Sequence, residues 1–231
     1  MNTEQDAELA RRVEVHAALA DPTRLRVVGL LGAGDAASSE LSARLGTPSN
    51  LLAHHLKILE AAGVIRRRRS EGDGRRSYWR LVPDVVAPAA EPGAVAVPHL
   101  RTPARLVFVC TANAARSHLA AALWRQASRV PADSAGTHPA ERIDRRAVAA
   151  ARRHHLDLPD VRPQRVEDLA PALTEDDLVV TVCDRAHEEL GDAAQLHWSV
   201  PDPVAAGGAA AFDRAHDEIA GRVRVLAGGL R

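Results

Sequence analysis

The sequence predicts a mainly helical domain followed by an α/β domain with a central parallel sheet. The chain has 231 residues, and a usual size of about 150 residues per domain favours two domains. Five prolines fall within residues 83–104, which show neither helical nor strand periodicity and are typical of a linker. Strands and helices alternate only after this stretch. We therefore expect domains at 1–82 and 105–231, joined by a linker at 83–104.

The first domain is predicted to begin with two amphipathic helices. The first runs from Glu4 to Leu19, and Asp21 followed by Pro22 is a typical start for the second. Apolar residues at helical spacing predict the buried stripes. The stripe residues are Leu9, Val13 and Ala17 in the first helix and Leu25, Val28 and Leu31 in the second.

A third and a fourth helix and a hairpin complete this domain. The third helix fits residues 39–45 and stops at Gly46. The fourth begins after a Thr47–Pro48 cap, ends at Gly63 and buries Leu52, Leu56 and Leu59. Strands at 64–69 and 75–81 flank a glycine-containing turn. Helix, turn, helix and hairpin in this order predict a winged helix-turn-helix.

Charge and helical geometry together predict that this domain binds double-stranded operator DNA. From Arg44 to Arg80 there are nine basic residues and three acidic ones, a concentration that favours a nucleic-acid surface. If the leucine stripe of the fourth helix faces the core, the opposite face enters the major groove. The expected DNA-contacting residues are Ser49, Asn50, Leu51, His54 and Lys57 on the helix and Arg67, Arg69, Arg75 and Arg76 on the hairpin.

Residues 5–82 resemble the ArsR family of bacterial repressors. The segments that carry the resemblance are ALADPTRLRVVGLL (18–31), ELSARLGTPSNLLAHHLKILEAAGVI (40–65) and SYWRL (77–81). The resemblance implies a homodimer joined through the first helix on a two-fold symmetric operator. Segment 34–41 lacks the cysteines of members that sense arsenite or cadmium. The adjacent His54 and His55 diverge by about 100° on a helix, so we expect no metal site here.

The second domain is predicted to alternate strands and helices around a parallel sheet. Strands are expected at 106–109, 132–135, 178–182 and 195–198, and helices at 117–128, 141–154, 184–190 and 210–228. In such a sheet, ligands bind at the carboxyl ends of the strands.

The strand 106–109 leads directly into a cysteine, and an arginine follows at the start of a helix. The backbone amides of such a loop and the helix N-terminus can surround a tetrahedral anion. Arg116 can hold two anion oxygens, and this positive field favours the thiolate of Cys110 as a nucleophile, with Ser117 hydrogen-bonded to the sulfur. The residues expected to bind the oxyanion are Thr111, Ala112, Asn113, Ala114, Ala115 and Arg116.

Residues 104–231 resemble the low-molecular-weight protein tyrosine phosphatase superfamily, which includes thiol-dependent arsenate reductases. VFVCTANAARS (107–117) resembles the nucleophile loop, with Ala112 at a usual glycine position where it could strain the backbone. DSAGTHP (133–139) resembles the next segment, and in VPDP (200–203) the resemblance makes Asp202 the general acid. The small residues after Asp202 offer no aromatic surface for a phenol ring.

VVTVCDRAHEEL (179–190) resembles the arsenate reductases, in which a second cysteine attacks the first and releases arsenite. Cys183 matches that second cysteine, although a strand-end cysteine is ordinarily apolar filler. Leu190 stands near the position of a third cysteine, so the reductant must be external: thioredoxin, a glutaredoxin-like protein or a small thiol. We expect no bound cofactor.

Three functions follow from these observations. The leading hypothesis is a transcriptional repressor fused to an arsenate reductase-like enzyme in arsenic resistance, acting on arsenate. The second keeps DNA binding and makes the other half a low-molecular-weight phosphatase. The third is a non-enzymatic regulator that senses an oxyanion or oxidant. Two cysteines and the absence of a signal segment or a run of about 18 apolar residues predict a cytoplasmic protein without membrane contact.

Overall fold

The computed structural model describes residues 3–82, 85, 101–158 and 161–230. These residues form two compact units that lie largely on either side of the predicted linker, with Ser70–Gly74 grouped with the second unit. Most of residues 83–104 lie outside the described residues. The boundaries 1–82, 83–104 and 105–231 therefore remain predictions, and each unit is described by itself.

The first unit is mainly helical and carries a small antiparallel sheet. Its strand order is β1-β3-β2, with Arg67 opposite Trp79 in the hairpin. This order of elements confirms the predicted winged helix-turn-helix. The elements are α1 (Thr3–Leu19), α2 (Pro22–Ala33), β1 (Ala36–Ala37), α3 (Ser38–Leu45), α4 (Ser49–Ala61), β2 (Ile65–Arg69) and β3 (Ser77–Leu81).

The helix ends of the first unit follow the predicted capping in all but one place. The Asp21 carboxylate accepts from the backbone amide of Arg24 at 2.9 Å, as expected of an N-cap. Gly46 ends α3 in the left-handed region at φ +61°, which glycine adopts without strain. The predicted Thr47 cap of α4 is wrong. The Thr47 amide instead closes α3 by donating to the Ser42 carbonyl at 3.2 Å.

The core of the first unit confirms one predicted stripe and corrects two. Leu52, Leu56 and Leu59 of α4 are fully buried. In α2, Leu25 is 51% exposed, and Val27 is buried beside Val28 and Leu31 because the helix packs through a face rotated from the predicted one. In α1, Val15 and Ala18 are buried instead of the predicted stripe. That stripe, Leu9, Val13 and Ala17, faces outward.

The second unit is an α/β domain with a parallel four-stranded sheet in the order β5-β4-β6-β7. This confirms the predicted fold class. The short helices α7 and α9 were not predicted. The elements are β4 (Arg105–Cys110), α5 (Arg116–Ala127), β5 (Ala132–Gly136), α6 (Arg145–Arg153), α7 (Val166–Leu169), β6 (Asp177–Thr181), α8 (Asp184–Leu190), β7 (Leu196–His197), α9 (Pro203–Ala206) and α10 (Ala209–Gly229).

The sheet of the second unit positions its reactive groups. Strand β4 lies between β5 and β6, and its last residue, Cys110, pairs with Gly136 of β5. Cys183 follows β6 at the same edge. Parallel strands place their carboxyl ends together, so both thiols lie at one end of the sheet. Of the described helices, none is long and apolar enough to cross a lipid bilayer.

Candidate functional site

The loop between β4 and α5 is fixed by hydrogen bonds to the segment that follows β5. The carbonyls of Thr111, Ala112 and Ala114 accept from the amides of His138, Ala140 and Asp144 at 2.8 to 2.9 Å. Since N–H and C=O point in opposite directions across a trans peptide, the next amide in each case points away from that segment. The loop therefore presents several amide donors on one side, which is the arrangement that binds an anion.

A buried polar network supports the sulfur of Cys110. The Cys110 sulfur lies 3.2 Å from the Ser117 hydroxyl, and the Asn113 side-chain amide donates to the Ser117 hydroxyl at 2.9 Å and to the Ser134 hydroxyl at 3.1 Å. The amide of Gln164 donates to Asn113 Oδ1 at 3.0 Å. Because these groups are buried and satisfy one another, the network holds the loop in one conformation.

The unusual backbone of this loop lies at Asn113 rather than at Ala112. Asn113 has φ +46°, and Ala112 is not among the described non-glycine residues with positive φ. The expected strain at Ala112 is therefore wrong, because asparagine tolerates the left-handed conformation that the loop requires. Gly136 packs directly against the loop, since a Cβ there would lie 2.6 Å from the Thr111 carbonyl oxygen.

Arg116 is buried at the start of α5, and its guanidinium is held in place by two groups. One nitrogen donates to the Val200 carbonyl at 2.8 Å, and the other lies 3.4 Å from the Asp202 carboxylate. Burial would lower the pKa of Arg116, but the acidic groups of Cys183, Cys110 and Asp202 raise it. The guanidinium is thus a permanent positive charge beside both thiols, suited to an anionic ligand.

Cys183 lies beside the same loop. Its sulfur is 3.4 Å from the Thr111 hydroxyl, and both cysteines are free and buried. Burial raises the pKa of the Cys183 thiol, while the charge of Arg116 opposes the rise. The surroundings of Cys183 therefore favour its protonated thiol.

The residue after Cys183 anchors the start of α8. The carboxylate of Asp184 lies 3.1 Å from His197 Nε2, and both side chains are buried. Burial alone would raise the pKa of Asp184, but hydrogen bonds from His197 and Ser199 hold it below the ordinary value. An ionised carboxylate at the first position of a helix is stabilised by the helix dipole, so this contact fixes the backbone next to Cys183.

The reactive groups line one cavity. Cys110, Cys183, Arg116 and Asp202 line it together with small loop residues. No described residue of its lining is aromatic. Four further arginines line it beside the carboxylates of Asp144 and Asp184, and these arginines can contact an anion. They are Arg142, Arg145, Arg146 and Arg185.

The structure brings the catalytic residues predicted from the sequence into one place. Cys110, Ser117, Arg116, Asp202 and Cys183 are connected by the contacts above or line the same cavity. Thr111, Ala112, Asn113, Ala114 and Ala115 form the connecting loop. Their catalytic roles remain predictions. The sequence did not indicate the supporting roles of Ser134, Gly136, Gln164 and Val200, although the first two lie within the family-like segment 133–139.

The predicted DNA-contacting residues lie on the surface of the first unit. Those of α4 lie on the face opposite the leucine stripe, and His55 turns inward, where its ring lies 3.6 Å from the Asp21 carboxylate. Contact of these side chains with DNA remains a prediction. The exposed residues are Ser49, Asn50, Leu51, His54, Lys57, Arg67, Arg69, Arg75 and Arg76.

Comparison with known families and sequences gives matches to both units. Residues 105–231 match the low molecular weight phosphotyrosine protein phosphatase family, and residues 19–68 match a helix-turn-helix domain. The chain is 31% identical over 77 residues to the uncharacterized HTH-type transcriptional regulator MJ1325 of Methanocaldococcus jannaschii, covering 33% of this chain and 83% of that protein. It is 40% identical over 86 residues to the HTH-type transcriptional repressor SmtB of Mycobacterium tuberculosis, covering 34% and 62%.

Solved structures similar to the chain cover about half of it. An arsenate reductase from Archaeoglobus fulgidus is 30% identical with a TM-score of 0.46, covering 53% of this chain and 98% of that one. A YwlE mutant from Bacillus subtilis is 25% identical with a TM-score of 0.47, covering 54% and 96%.

Proposed function

The chain belongs to the low molecular weight phosphotyrosine protein phosphatase family through residues 105–231, and from this premise we propose a transcriptional repressor fused to a thiol-dependent arsenate reductase. A helix-turn-helix regulator domain precedes the phosphatase-like domain in one chain. The proposal adds a substrate, arsenate, and a biological role, arsenic resistance.

The observation that carries the proposal is the presence of two free thiols in one cavity with an arginine. A phosphatase of this kind needs one nucleophilic sulfur, whereas reduction of arsenate needs two electrons, which a pair of thiols supplies by forming a disulfide. Cys110 and Cys183 both line the cavity that contains Arg116. The lack of an aromatic lining residue disfavours a flat phenolic substrate.

The first step is attack of the Cys110 thiolate on arsenic. The loop amides and Arg116 hold the arsenate oxygens. A sulfur–arsenic bond forms while one arsenic–oxygen bond breaks, and Asp202 gives the departing oxygen a proton so that it leaves as water. Arsenic remains pentavalent. The distance of 3.4 Å between the Asp202 carboxylate and Arg116, the group proposed to hold the anion, supports this role.

The second step uses Cys183. The Cys183 thiol gives its proton to an oxygen of the arsenic adduct and its sulfur attacks the Cys110 sulfur, so that a sulfur–sulfur bond forms and the sulfur–arsenic bond breaks. The bonding pair stays on arsenic, which becomes trivalent and leaves as arsenite. Two thiols are oxidised to one disulfide, and arsenic is reduced by two electrons. The positive charge of Arg116 favours the Cys183 thiolate against the effect of burial.

An external thiol must then reduce the disulfide. Leu190 stands where a third cysteine would lie, so this chain offers no further internal thiol. Thioredoxin, a glutaredoxin-like protein and a small thiol are the three candidate reductants. DNA binding is assigned to α4 and the hairpin, and a homodimer to the outward face of α1, where Leu9 and Val13 are 59% and 58% exposed.

A phosphatase is the second candidate. The Cys110 loop, Arg116 and Asp202 are sufficient for phosphoester hydrolysis, and that reaction does not require Cys183. A small phosphoester would suit this cavity, whose described lining contains no aromatic residue, better than a phosphotyrosine ring.

The proposed function is tested by measuring two reactions on the full chain. Arsenate-dependent oxidation of each reductant is followed beside hydrolysis of p-nitrophenyl phosphate. Cys183→Ser should stop arsenate reduction and leave phosphoester hydrolysis within about threefold, because only the former needs the second thiol. Asp202→Asn is the matched control, and it should lower both activities by about 10² to 10⁴.

Two outcomes would contradict this assignment. Unchanged arsenate reduction in Cys183→Ser would mean that Cys183 is only a packing residue of the core. Absence of both reactions in the parent protein, with oxyanion-dependent release of DNA, would favour the sensing regulator instead.

A further inference from the structure

His118 is a buried histidine that the proposed chemistry does not use. It follows Ser117 in α5 and is 3% exposed. Its Nδ1 lies 3.2 Å from the Ser134 hydroxyl, whereas its Nε2 has no hydrogen-bond partner among the described residues. Burying an imidazole costs free energy that an apolar side chain of similar size would not cost. The contacts at Nδ1 therefore distinguish this histidine from a packing residue.

The hydrogen of the neutral imidazole belongs on Nδ1. Burial lowers the pKa of His118 to about 4, and a hydrogen bond to the Asn113 backbone opposes the fall. Near pH 7 the ring is thus neutral and carries one hydrogen. A backbone carbonyl only accepts, and the described residues offer no acceptor to Nε2. Nδ1 is therefore the donor, and the Asn113 carbonyl and the Ser134 oxygen are its acceptors.

The Asn113 side chain carries this support towards Cys110. The Gln164 backbone amide donates to Asn113 Oδ1 at 3.0 Å, which identifies the other atom of the side-chain amide as its nitrogen. That nitrogen donates to the Ser134 hydroxyl at 3.1 Å and to the Ser117 hydroxyl at 2.9 Å. Ser117 therefore accepts from Asn113 and has its own hydrogen to give.

The acceptor of the Ser117 hydrogen is the Cys110 sulfur, which lies 3.2 Å away. A hydroxyl that accepts one hydrogen bond donates the next one more strongly, and a hydrogen bond to a thiolate favours the charged form. Asn113, however, has φ +46°, a conformation that a non-glycine residue keeps only where the contacts around it hold it. The thiolate therefore depends on the groups that hold Asn113.

We propose that His118 is a positioning residue of the Cys110 loop, acting through the hydrogen of its Nδ1. It holds the Asn113 backbone and the Ser134 hydroxyl, and Asn113 in turn directs the Ser117 hydroxyl at the sulfur. His118 itself is not among the described residues that line the cavity, so its effect is indirect. The inference rests on the proposed function only in taking Cys110 as the nucleophile, a role that arsenate reduction and phosphoester hydrolysis share.

Three substitutions separate this role from packing. Asparagine places its side-chain nitrogen close to the position of Nδ1, and glutamine places it close to the position of Nε2. Leucine fills the volume of the ring without a polar group. His118→Asn should therefore preserve the loop, whereas His118→Gln and His118→Leu should not, although glutamine is closer to histidine in size.

The test measures the pH dependence of Cys110 alkylation by iodoacetamide in the full chain carrying Cys183→Ser, which leaves one cysteine. His118→Gln and His118→Leu should raise the midpoint of this profile by about one pH unit, because the thiolate loses part of its hydrogen bonding. His118→Asn should keep the midpoint of the parent. Alkylation requires neither arsenate nor turnover, so this result does not depend on which reaction the enzyme catalyses.

Nitrogen NMR of the parent gives an independent readout. Long-range proton–nitrogen spectra distinguish the two ring nitrogens of a neutral histidine. The histidine signals that disappear in His118→Asn should show the hydrogen on Nδ1.

A control and a second route keep the result interpretable. Leu119→Met changes the next buried residue of α5 with little change in volume, and its alkylation profile should match the parent. Ser134→Ala removes an acceptor of Nδ1, should raise the midpoint by itself, and serves if a His118 variant unfolds. Combined with His118→Leu, its shift should be smaller than the sum of the two, because both act through one network.

Four outcomes would overturn the proposal. The first is a midpoint in His118→Leu equal to that of the parent. The second is an equal rise in His118→Asn and His118→Leu, which would mean that the size of the ring matters and its donor does not. The third is an unchanged midpoint in Ser134→Ala. The fourth is an NMR spectrum that places the ring hydrogen of His118 on Nε2.

Discussion

The two anion-facing regions of this protein are built in opposite ways. The predicted DNA face of α4 and the hairpin consists of exposed side chains spread over the surface of the first unit. The Cys110 loop is supported by a buried network in which Asn113, Ser117 and Ser134 depend on one another. A surface that binds a long polyanion can lose one contact, whereas a site that holds one tetrahedral anion requires all its groups in place. Substitutions should therefore have graded effects on the first region and large effects on the second.

The largest expected effect is that of Cys110→Ser. It should abolish arsenate reduction and phosphoester hydrolysis, because the nucleophile of both is lost. Affinity for duplex DNA should stay within about twofold of the parent, since the predicted DNA contacts lie within residues 49–76. Enzyme assays and fluorescence anisotropy with DNA check the two halves of this prediction. A large change in DNA affinity would show that the two regions are energetically coupled.

The buried network extends to His118, whose Nδ1 lies 3.2 Å from the Ser134 hydroxyl, and this histidine should make stability depend on pH. Burial lowers the pKa of His118 from 6.5 to about 4, so the unfolded chain takes up a proton in this range and the folded chain does not. The stabilisation is present above pH 6.5 and is lost as pH falls towards 4, to an extent of about 3 kcal/mol. Denaturant unfolding across this range should show the loss, and His118→Gln should reduce it.

The matched control for this variant is His138→Gln, which changes a histidine whose side chain is 63% exposed. Its loss of unfolding free energy between pH 6.5 and 4 should stay close to that of the parent, because the pair that His138 forms with Glu189 at 3.3 Å is exposed and contributes little. An equal pH dependence in the parent and in His118→Gln would mean that His118 does not cause the acid sensitivity.

Gly136→Ala should displace the Cys110 loop without replacing any reactive group. The added Cβ would lie 2.6 Å from the Thr111 carbonyl oxygen and 2.9 Å from the Asn113 nitrogen, and both are backbone atoms that cannot turn aside. A displacement of about 1 Å in a catalytic loop costs about 10²-fold in rate. Kinetics should show this as a fall in kcat. Gly221→Ala, where a Cβ would meet open space, is the control and should retain full activity.

The smallest effects are expected on the DNA face. Lys57→Ala should weaken binding to all duplexes alike and reduce the slope of log affinity against log salt by about 1, if Lys57 contacts a phosphate. Asn50→Ala should cost about 1 to 3 kcal/mol on the preferred operator and less on other DNA. Anisotropy titrations at several salt concentrations distinguish the two. Glu60→Ala, also in α4, should not reduce affinity, and an unchanged slope in Lys57→Ala would remove that residue from the interface.

Periodicity and motif order are sufficient to predict the fold class of both units. Leucines at helical spacing in α4, glycines after α3 and α4, and the cysteine at the end of an apolar strand are local signals, and each was found where expected. The predicted stripe of α1 was wrong, and that of α2 was wrong at Leu25, because a helix face is buried only where a neighbouring element covers it. The sequence of a helix does not contain that information.

The reactive residues themselves were visible in the sequence, because thiol, arginine and serine stand within eight positions of one strand-to-helix turn. What only the tertiary structure decided is how they are supported and what lies beside them. Ser134, Gly136 and Gln164 come from other segments, and the contact of His118 with Ser134 depends on α5 packing against β5. The chemistry of a local motif can be predicted from residues that are neighbours in the chain. Contacts between distant segments depend on how the sheet and the helices of the second unit pack together.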